Sequence, residues 1–373
     1  MASFCMKKVL IFSLAYFPHV GGAEVAIKEL TDRIQDIEFH MVTMRFSPAE
    51  PRQEKIGNVQ VYRIGSGGTS RISKFLFQFR AAREASALHR KNSYDAVWAM
   101  MAHSAGVPAA LFKQNHPDIP MLLTLQEGDP LRQIERTMFP LWPWFSRAFT
   151  HADRVQAISN FLGEWARTRG FTGPLKVIPN GVHTRKFSGD LVSHQGTVLV
   201  TASRLFHKNA VDDVIRALSL LPDVQFKIAG IGPEESKLRK LAKELQVEDR
   251  VHFLGYIDHA HLPALLHSAD IFIRPSRSEG MGNSFIEAMA AGIPVIGTAV
   301  GGIPDFLTDG ETGFVVEVDS PQSIASAVRQ VIENPTQTQR IVEKAKELST
   351  QYDWDMLAVR MQQEAFEPLW KKQ

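Results

Sequence analysis

Residues 271–305 read IFIRPSRSEGMGNSFIEAMAAGIPVIGTAVGGIPD, with seven residues between two carboxylates, Glu279 and Glu287. Glu279 lies in a glycine loop after an apolar run, and Glu287 sits one turn into a helical pattern. The free N–H groups at a helix N-terminus favour anions, phosphates above all. Carboxylates beside such a site would repel phosphate and serve better as acceptors for hydroxyl groups. A ligand that carries both phosphates and hydroxyls is a nucleotide-sugar. A plainer reading competes. Ser284-x-x-Glu287 has the form of a capping box, in which Glu287 satisfies the helix start, and Glu279-Gly280 alone is an ordinary turn. Gly280 and Gly282, which admit close backbone approach, and the return through Gly292-Ile293-Pro294 to a second apolar run favour the site; a double role for Glu287, cap and ligand, stays open.

The string E-G-M-G-N-S-F-I-E-A-M-A-A-G-I-P-V-I resembles the E-x7-E signature of retaining glycosyltransferases with the GT-B fold, the fourth family or glycosyl transferases group 1. The resemblance covers most of the chain and is strongest over residues 197–318. It implies that Glu279 holds donor-sugar hydroxyls, with Gly280, Met281, Gly282, Asn283 and Ser284 nearby, and that Glu287 accepts from ribose hydroxyls.

Other candidates sit just past apolar runs. Arg204 and Lys208 follow TVLVTAS in SRLFHKNAVDDVI. Expulsion of a nucleoside diphosphate builds negative charge that fixed cations stabilise, Arg as a planar fork and Lys as a point charge. Two cations four apart are otherwise a solvated helix face. The pattern R-L-x-x-K-N-x-V-D-D-V-I resembles the family's phosphate-binding segment, although many relatives carry the lysine one position later, where this chain has Asn209. Gly21-Gly22, in Y-F-P-H-V-G-G-A-E, resembles the family's first-loop signature and implies close approach of backbone to the donor. G-x-G-x-x-G is missing there, which argues against a nicotinamide dehydrogenase.

The segment MLLTLQEGDP departs from the family pattern. Where many members carry a histidine reaching the sugar ring, this chain has Gln126, able to hydrogen-bond a hydroxyl but not to act as a charged stabiliser or base. Glu127 and Asp129 are acidic neighbours suited to acceptor hydroxyls. His103, after AVWAM, is a further candidate for the reacting end, against the ordinary reading of a lone histidine as structural. The resemblance implies departure and attack on one face, with the leaving phosphate taking the acceptor proton, so no protein nucleophile is nominated. No cofactor and no essential metal are expected. Asp353-Trp354-Asp355 matches D-x-D but opens the terminal helix, where capping is the simpler role, and the thirteen histidines fall in no H-x-x-x-H or Cys/His grouping.

The elements that must position these residues are legible as short apolar runs between helical patterns: 9–16, 39–44, 59–64, 96–100, 121–126, 154–159 and 176–179, then 197–203, 224–230, 250–256, 271–276, 294–299 and 313–318. Such alternation predicts α/β domains with parallel sheets. The number of strands is too high for one open sheet, and Pro179-Asn180-Gly181 marks a junction. The expectation is a GT-B architecture: two Rossmann-like parallel-sheet domains facing a deep cleft. By resemblance, residues 1–180 form the acceptor domain and 181–352 the donor domain, with a terminal helix in 353–373 crossing back to the N-terminal domain. In such sheets ligands bind beyond the carboxyl ends of the strands.

A chain of 373 residues, 44% hydrophobic and 22% charged, has the composition of a soluble protein of two ordinary domains. The lone Cys5 excludes an internal disulfide framework and suits the cytoplasm. Lys7-Lys8 before VLIFSLAYF mimics a signal peptide, yet no A-x-A-like cleavage site follows. No run approaches the roughly 18 apolar residues that span a bilayer. Residues 1–180 carry 22 Lys and Arg against 15 Asp and Glu, whereas 181–373 carry 20 against 25. The first half therefore suits an anionic partner. Nucleic acid is disfavoured, because no basic-aromatic recognition motif accompanies the surplus. The stretches 70–92, with Phe75, Phe77 and Phe79, and 136–149 have the basic-aromatic character of surfaces that rest on anionic membranes, though core or acceptor-site aromatics would read the same way. The partners expected are a nucleotide-sugar and a glycan or lipid-linked acceptor, at a peripheral position on the inner face of the membrane. A nucleotide-sugar epimerase and a non-catalytic sugar-nucleotide-binding protein are the rival readings.

Overall fold

The computed structural model describes residues 6–193 and 195–370; Cys5 lies outside them. The chain divides into two compact units, Met1–Asn180 with Trp354–Gln373, and Gly181–Asp353.

The first unit holds β1 (Lys7–Phe12), β2 (Ile37–Met44), β3 (Gln53–Ile56), β4 (Val59–Ile64), β5 (Ala96–Met100), β6 (Met121–Leu125), β7 (Arg154–Ala157) and β8 (Leu175–Val177). They form one sheet in the order β3-β4-β2-β1-β5-β6-β7-β8. All pairs are parallel except β3 with β4. Central strands such as β5 and β6 are buried along their whole length, as expected of a sheet covered by helices on both faces. The apolar pattern does not foresee β3. Its sequence QEKI alternates exposed and half-buried positions on the sheet's edge, so packing leaves no apolar signature. It turns into β4 through Gly57, whose φ of +56° favours glycine.

The second unit holds β9 (Thr197–Ala202), β10 (Val224–Ala229), β11 (Val251–Gly255), β12 (Ile271–Arg274), β13 (Val295–Thr298) and β14 (Phe314–Val316), all parallel, in the order β11-β10-β9-β12-β13-β14. Leu199, Phe226, Ile271 and Ile296 from its strands pack against Ile215, Val328 and Ile341 from its helices.

The C-terminal segment belongs to the first unit. Trp354, Leu357, Met361, Ala365 and Phe366 join Val9, Ile11, Phe39 and Trp98 in one apolar core. The expected single helix is regular only over Trp354–Arg360. It widens into a π-helical turn, Met361–Phe366, and tightens at Glu367–Leu369, where Pro368 has no N–H to continue the ladder. Asp353 stays with the second unit, its carboxylate accepting from Thr184 Oγ1 at 2.9 Å. Among the described residues, no helix is long and apolar enough to cross a membrane.

Candidate active site

In the second unit, strand order runs outward from β9 through β10 to β11 and then resumes on the other side at β12. The crevice at such a reversal, beyond the carboxyl ends of the strands, is where open parallel sheets take ligands. Arg204 and Lys208 follow β9, and the Glu279 loop follows β12, so both candidate segments leave this point.

Arg204 is exposed, with its guanidinium 5.3 Å from the centre of the Phe206 ring, and joins no ion pair among the described residues. Lys208 is half-buried in the short turn His207–Asn209. Asn209, the position where relatives place their lysine, is buried and its side-chain amide donates to the Arg204 carbonyl. A lysine there would lack that inward bond, and the cation of this turn is Lys208 instead.

Glu279 is held from inside the sheet. Arg274, the last residue of β12 and 6% exposed, donates to Glu279 Oε2 at 2.6 Å and to Ser284 Oγ at 2.9 Å. The Gly280 N–H donates to Glu279 Oε1 at 3.1 Å. Gly282 has φ +103°, and a Cβ there would stand 2.8 Å from Arg274 Nη2. At Gly301, with φ +58°, a Cβ would stand 1.8 Å from the Glu279 carbonyl oxygen. These glycines make room for the Arg274–Glu279 frame.

The helix Asn283–Ala291 takes Gly282 as its N-cap, with no side-chain cap hydrogen bond. Ser284 therefore lies inside the helix and its hydroxyl is turned to Arg274, so Ser284-x-x-Glu287 is not a capping box. Glu287 is buried on the next turn, with Oε1 2.9 Å from His259 Nε2. The imidazole is a partner that the spacing does not reveal.

Arg277 ties the two loops together. Its N–H donates to the Lys208 carbonyl at 2.7 Å and its guanidinium to the His207 carbonyl at 2.8 Å. The same guanidinium meets Asp212, Asp213 and Asp319 at 2.8, 2.7 and 2.6 Å. Burial opposes its charge, but bonding to Asp212 and Asp319 outweighs burial and raises its pKa. Burial, with Asp212 alongside, pushes the Asp213 carboxyl up. Three buried hydroxyl oxygens at the ends of β9 and β12, on Thr201, Ser203 and Ser276, have no hydrogen-bond partner among the described residues. Buried polar atoms are seldom left so.

The first unit presents a different picture. Its sheet also reverses order, between β1 and β5. Gly21 and Gly22 follow β1, and Gly22 opens the helix Gly22–Arg33. That N-terminus already holds a carboxylate, because the Gly21 N–H donates to Glu24 Oε2 at 2.7 Å. A diphosphate approaching Gly21 and Gly22 would meet this charge, which weakens the expectation of donor binding there. A Cβ on Gly22 meets nothing within 4 Å.

His103 stands on the π-helical turn Ala102–Gly106, behind Met101 with φ +70°. Its Nδ1 is 3.3 Å from Glu127 Oε1. Glu127, expected from the sequence to suit acceptor hydroxyls, is closed off from them: its side chain is 0% exposed. It accepts from the Ala102 N–H at 2.6 Å and the Gln126 N–H at 2.9 Å. The carboxylate thus joins the loops after β5 and β6 and orients His103. Gln126 is paired with buried Asn180, each side-chain amide donating to the other at 3.0 and 3.2 Å. Asp129 alone of this group lies exposed. Asp355 turns to Arg33 at 2.7 Å while Asp353 turns to Thr184, so D-x-D does not converge. Among the described residues, no group of three His, Cys, Asp or Glu could hold a metal ion.

Sequence reasoning passed over Arg274, Arg277, Asn180, His259 and Gly301. One signal was available: an arginine closing the apolar run IFIR must find a buried partner.

Two family models match consecutive parts of the chain: Glycosyltransferase Family 4 over residues 20–186 and Glycosyl transferases group 1 over residues 185–348. The chain belongs to this glycosyltransferase family. An uncharacterized glycosyltransferase of Methanocaldococcus jannaschii is 26% identical over 355 residues, 94% of this chain and 95% of that one. A GDP-mannose-dependent alpha-(1-6)-phosphatidylinositol monomannoside mannosyltransferase of Mycolicibacterium smegmatis is 33% identical over 206 residues, 49% of this chain and 54% of that one. The structure of Anabaena HepE in complex with UDP and glucose superposes with a TM-score of 0.77 at 20% identity, over 95% of this chain and 98% of that chain. The fold is α/β with two Rossmann-like parallel-sheet domains, matching GT-B glycosyltransferase structures.

Proposed function

We propose that this glycosyltransferase moves a hexosyl unit from a nucleoside-diphosphate sugar to a hydroxyl of a glycan or lipid-linked acceptor, with retention of configuration. The observation that carries the reading is the pairing, at adjacent strand ends β9 and β12, of an outward cationic loop with a carboxylate fixed from behind by Arg274. Arg204, Lys208 and the N-terminus of the helix Asn283–Ala291 would receive the diphosphate, while Glu279 accepts from sugar hydroxyls and Glu287 from the ribose. The bond from the anomeric carbon to the phosphate oxygen breaks, and the acceptor oxygen bonds that carbon on the same face. The acceptor proton passes to the leaving phosphate, so the charge on the chain is unchanged and no protein nucleophile is needed. Cations fixed beforehand stabilise the departing charge without reorganisation, and on this reading no metal is essential. His103, braced by Glu127, and Gln126 are the first unit's candidates for the reacting end, and Asp129 is its exposed acidic candidate for an acceptor hydroxyl. HepE is in complex with UDP and glucose, and the mannosyltransferase is named for GDP-mannose and phosphatidylinositol monomannoside, which supports a hexose donor with either base.

A peripheral position on the cytoplasmic face of a membrane is part of the proposal. Phe77 is core, but Ile72, Phe75 and Leu76 are exposed beside Arg71 and Lys74, and Phe139 is 76% exposed. Binding to phosphatidylglycerol vesicles that weakens with salt supports it; equal indifference to neutral and anionic vesicles contradicts it.

The test of activity is nucleoside diphosphate release from UDP-, GDP- and ADP-sugars, with and without a hydroxyl acceptor. Acceptor-dependent release supports the proposal. Inversion of the free sugar or donor would indicate an epimerase, and donor binding with no turnover of any kind a binding protein.

A further inference from the structure

A cavity of about 660 Å³ in the first unit lies apart from the residues considered so far, walled by the β3–β4 hairpin and the helix Arg71–Asn92. Arginines 52, 63, 80, 83 and 90 line it, with Glu84 as the lone carboxylate. Arg63 is neutralised by Glu50 and Glu54. Arg52, Arg80, Arg83 and Arg90 are exposed and join no ion pair among the described residues. Arg80, Arg83 and Arg90 recur at helical spacings of three and seven, so they share one face, where like charges repel. Other arginines of the chain, such as Arg33, Arg274 and Arg277, are matched by carboxylates. We propose that this cavity binds a phosphate-bearing ligand, held by the guanidinium groups of Arg52, Arg80, Arg83 and Arg90.

The chemistry is that of planar forks converging on a group with several anionic oxygens, for which arginine is better suited than lysine. A single carboxylate ligand would leave most of the four charges unmatched. The rim also includes Gly65 and Ser66, which follow the carboxyl end of β4, the end of the sheet where ligands bind. The phosphate has two possible sources, a soluble phosphate ester or a lipid headgroup. Exposed Ile72, Phe75 and Leu76 on the same helix make the second concrete. The proposal does not depend on the donor reading, whose cations lie in the second unit.

The test is thermal unfolding with inorganic pyrophosphate against sodium chloride of equal ionic strength, on R204A, which lacks the donor-side arginine, and on R204A/R80Q/R83Q. A ligand of the native state raises the unfolding temperature. R204A should still be stabilised, and R204A/R80Q/R83Q should need about tenfold more pyrophosphate for the same shift. The unfolding temperatures of R204A/R80Q/R83Q and R80Q/R83Q in chloride alone show whether they fold. Flotation with phosphatidylcholine vesicles, with and without phosphatidylglycerol, identifies the source, with R71Q/K74Q as the comparison outside the cavity. Greater loss of anionic-vesicle binding in R80Q/R83Q than in R71Q/K74Q assigns the phosphate to a lipid. A pyrophosphate effect alone assigns it to a soluble ester. A pyrophosphate shift that is absent in R204A or unchanged in R204A/R80Q/R83Q, together with vesicle binding indifferent to Arg80 and Arg83, overturns the proposal.

Discussion

The two units place candidate residues at comparable points, beyond strand ends where the sheet order reverses, yet they arrange them differently. In the second unit the carboxylate Glu279 is set by a residue of the sheet itself, Arg274, and the cations Arg204 and Lys208 sit on a loop anchored by Arg277. In the first unit the polar groups bind one another: Glu127 holds His103 and two backbone N–H groups, and Gln126 holds Asn180. One region is an anchored frame with outward charge, and the other a closed network with a partly exposed imidazole at its edge. On the proposed reading, the difference suits a fixed requirement for diphosphate and sugar hydroxyls in the second unit and a variable acceptor met by separate loops of the first.

The sharpest way to break this contrast is to remove the outward groups of the second unit. Glu279→Ala or Arg204→Ala should lower turnover about 100-fold or more with the fold intact, read by product formation and circular dichroism. His103→Ala, at the edge of the closed network, should cost less, about tenfold. Equal losses in the two units would erase the distinction.

Anchoring can be separated from chemistry through Arg277. Arg277→Ala leaves Asp212 and Asp213 without their cation and should destabilise the second unit by about 3 kcal/mol in chemical denaturation. Its turnover should fall less than that of Arg204→Ala at temperatures where it remains folded.

Glycines sharpen the comparison at smaller amplitude. Gly301→Ala must displace the Glu279 backbone and should reduce both stability and turnover. Gly22→Ala meets open space and should leave the unfolding temperature within a degree or so of wild type. Any rise in KM from it would then report a ligand at the first loop.

The smallest effect expected is pH dependence confined to the first unit. Burial, outweighing nearby Glu38, lowers the His40 pKa below its ordinary value. The unfolded chain therefore takes up this proton first, at a pH near 6.5. The stability that neutral His40 provides is present above that pH and is lost as pH falls toward the depressed native value. His40→Gln should flatten this slope.

How far these arrangements were legible follows from where their partners lie in the chain. The strands of both sheets show as apolar runs because buried parallel strands carry the signal alone, whereas edge strand β3, with QEKI, carries none. Glu279, Arg204 and Lys208 stand out because the glycine loop and the cations fall within short contiguous strings. Arg274, only five residues before Glu279, passed as part of a strand, although a buried guanidinium must be paired. The burial of Glu127 is hidden from the sequence because its partners, Ala102 and His103, lie about 25 residues away and only the β5–β6 pairing brings them near. The capping-box reading failed for a local reason: Gly282, at φ +103°, starts the helix before Ser284.

The central claim is that the second unit holds a nucleotide-sugar through its outward cations. Isothermal titration of UDP-, GDP- and ADP-sugars into wild type and Arg204→Ala tests it directly. The account predicts saturable binding of at least one donor by wild type, weakened about tenfold or more in the variant. No binding of any donor, or equal affinity in the two proteins, would contradict it.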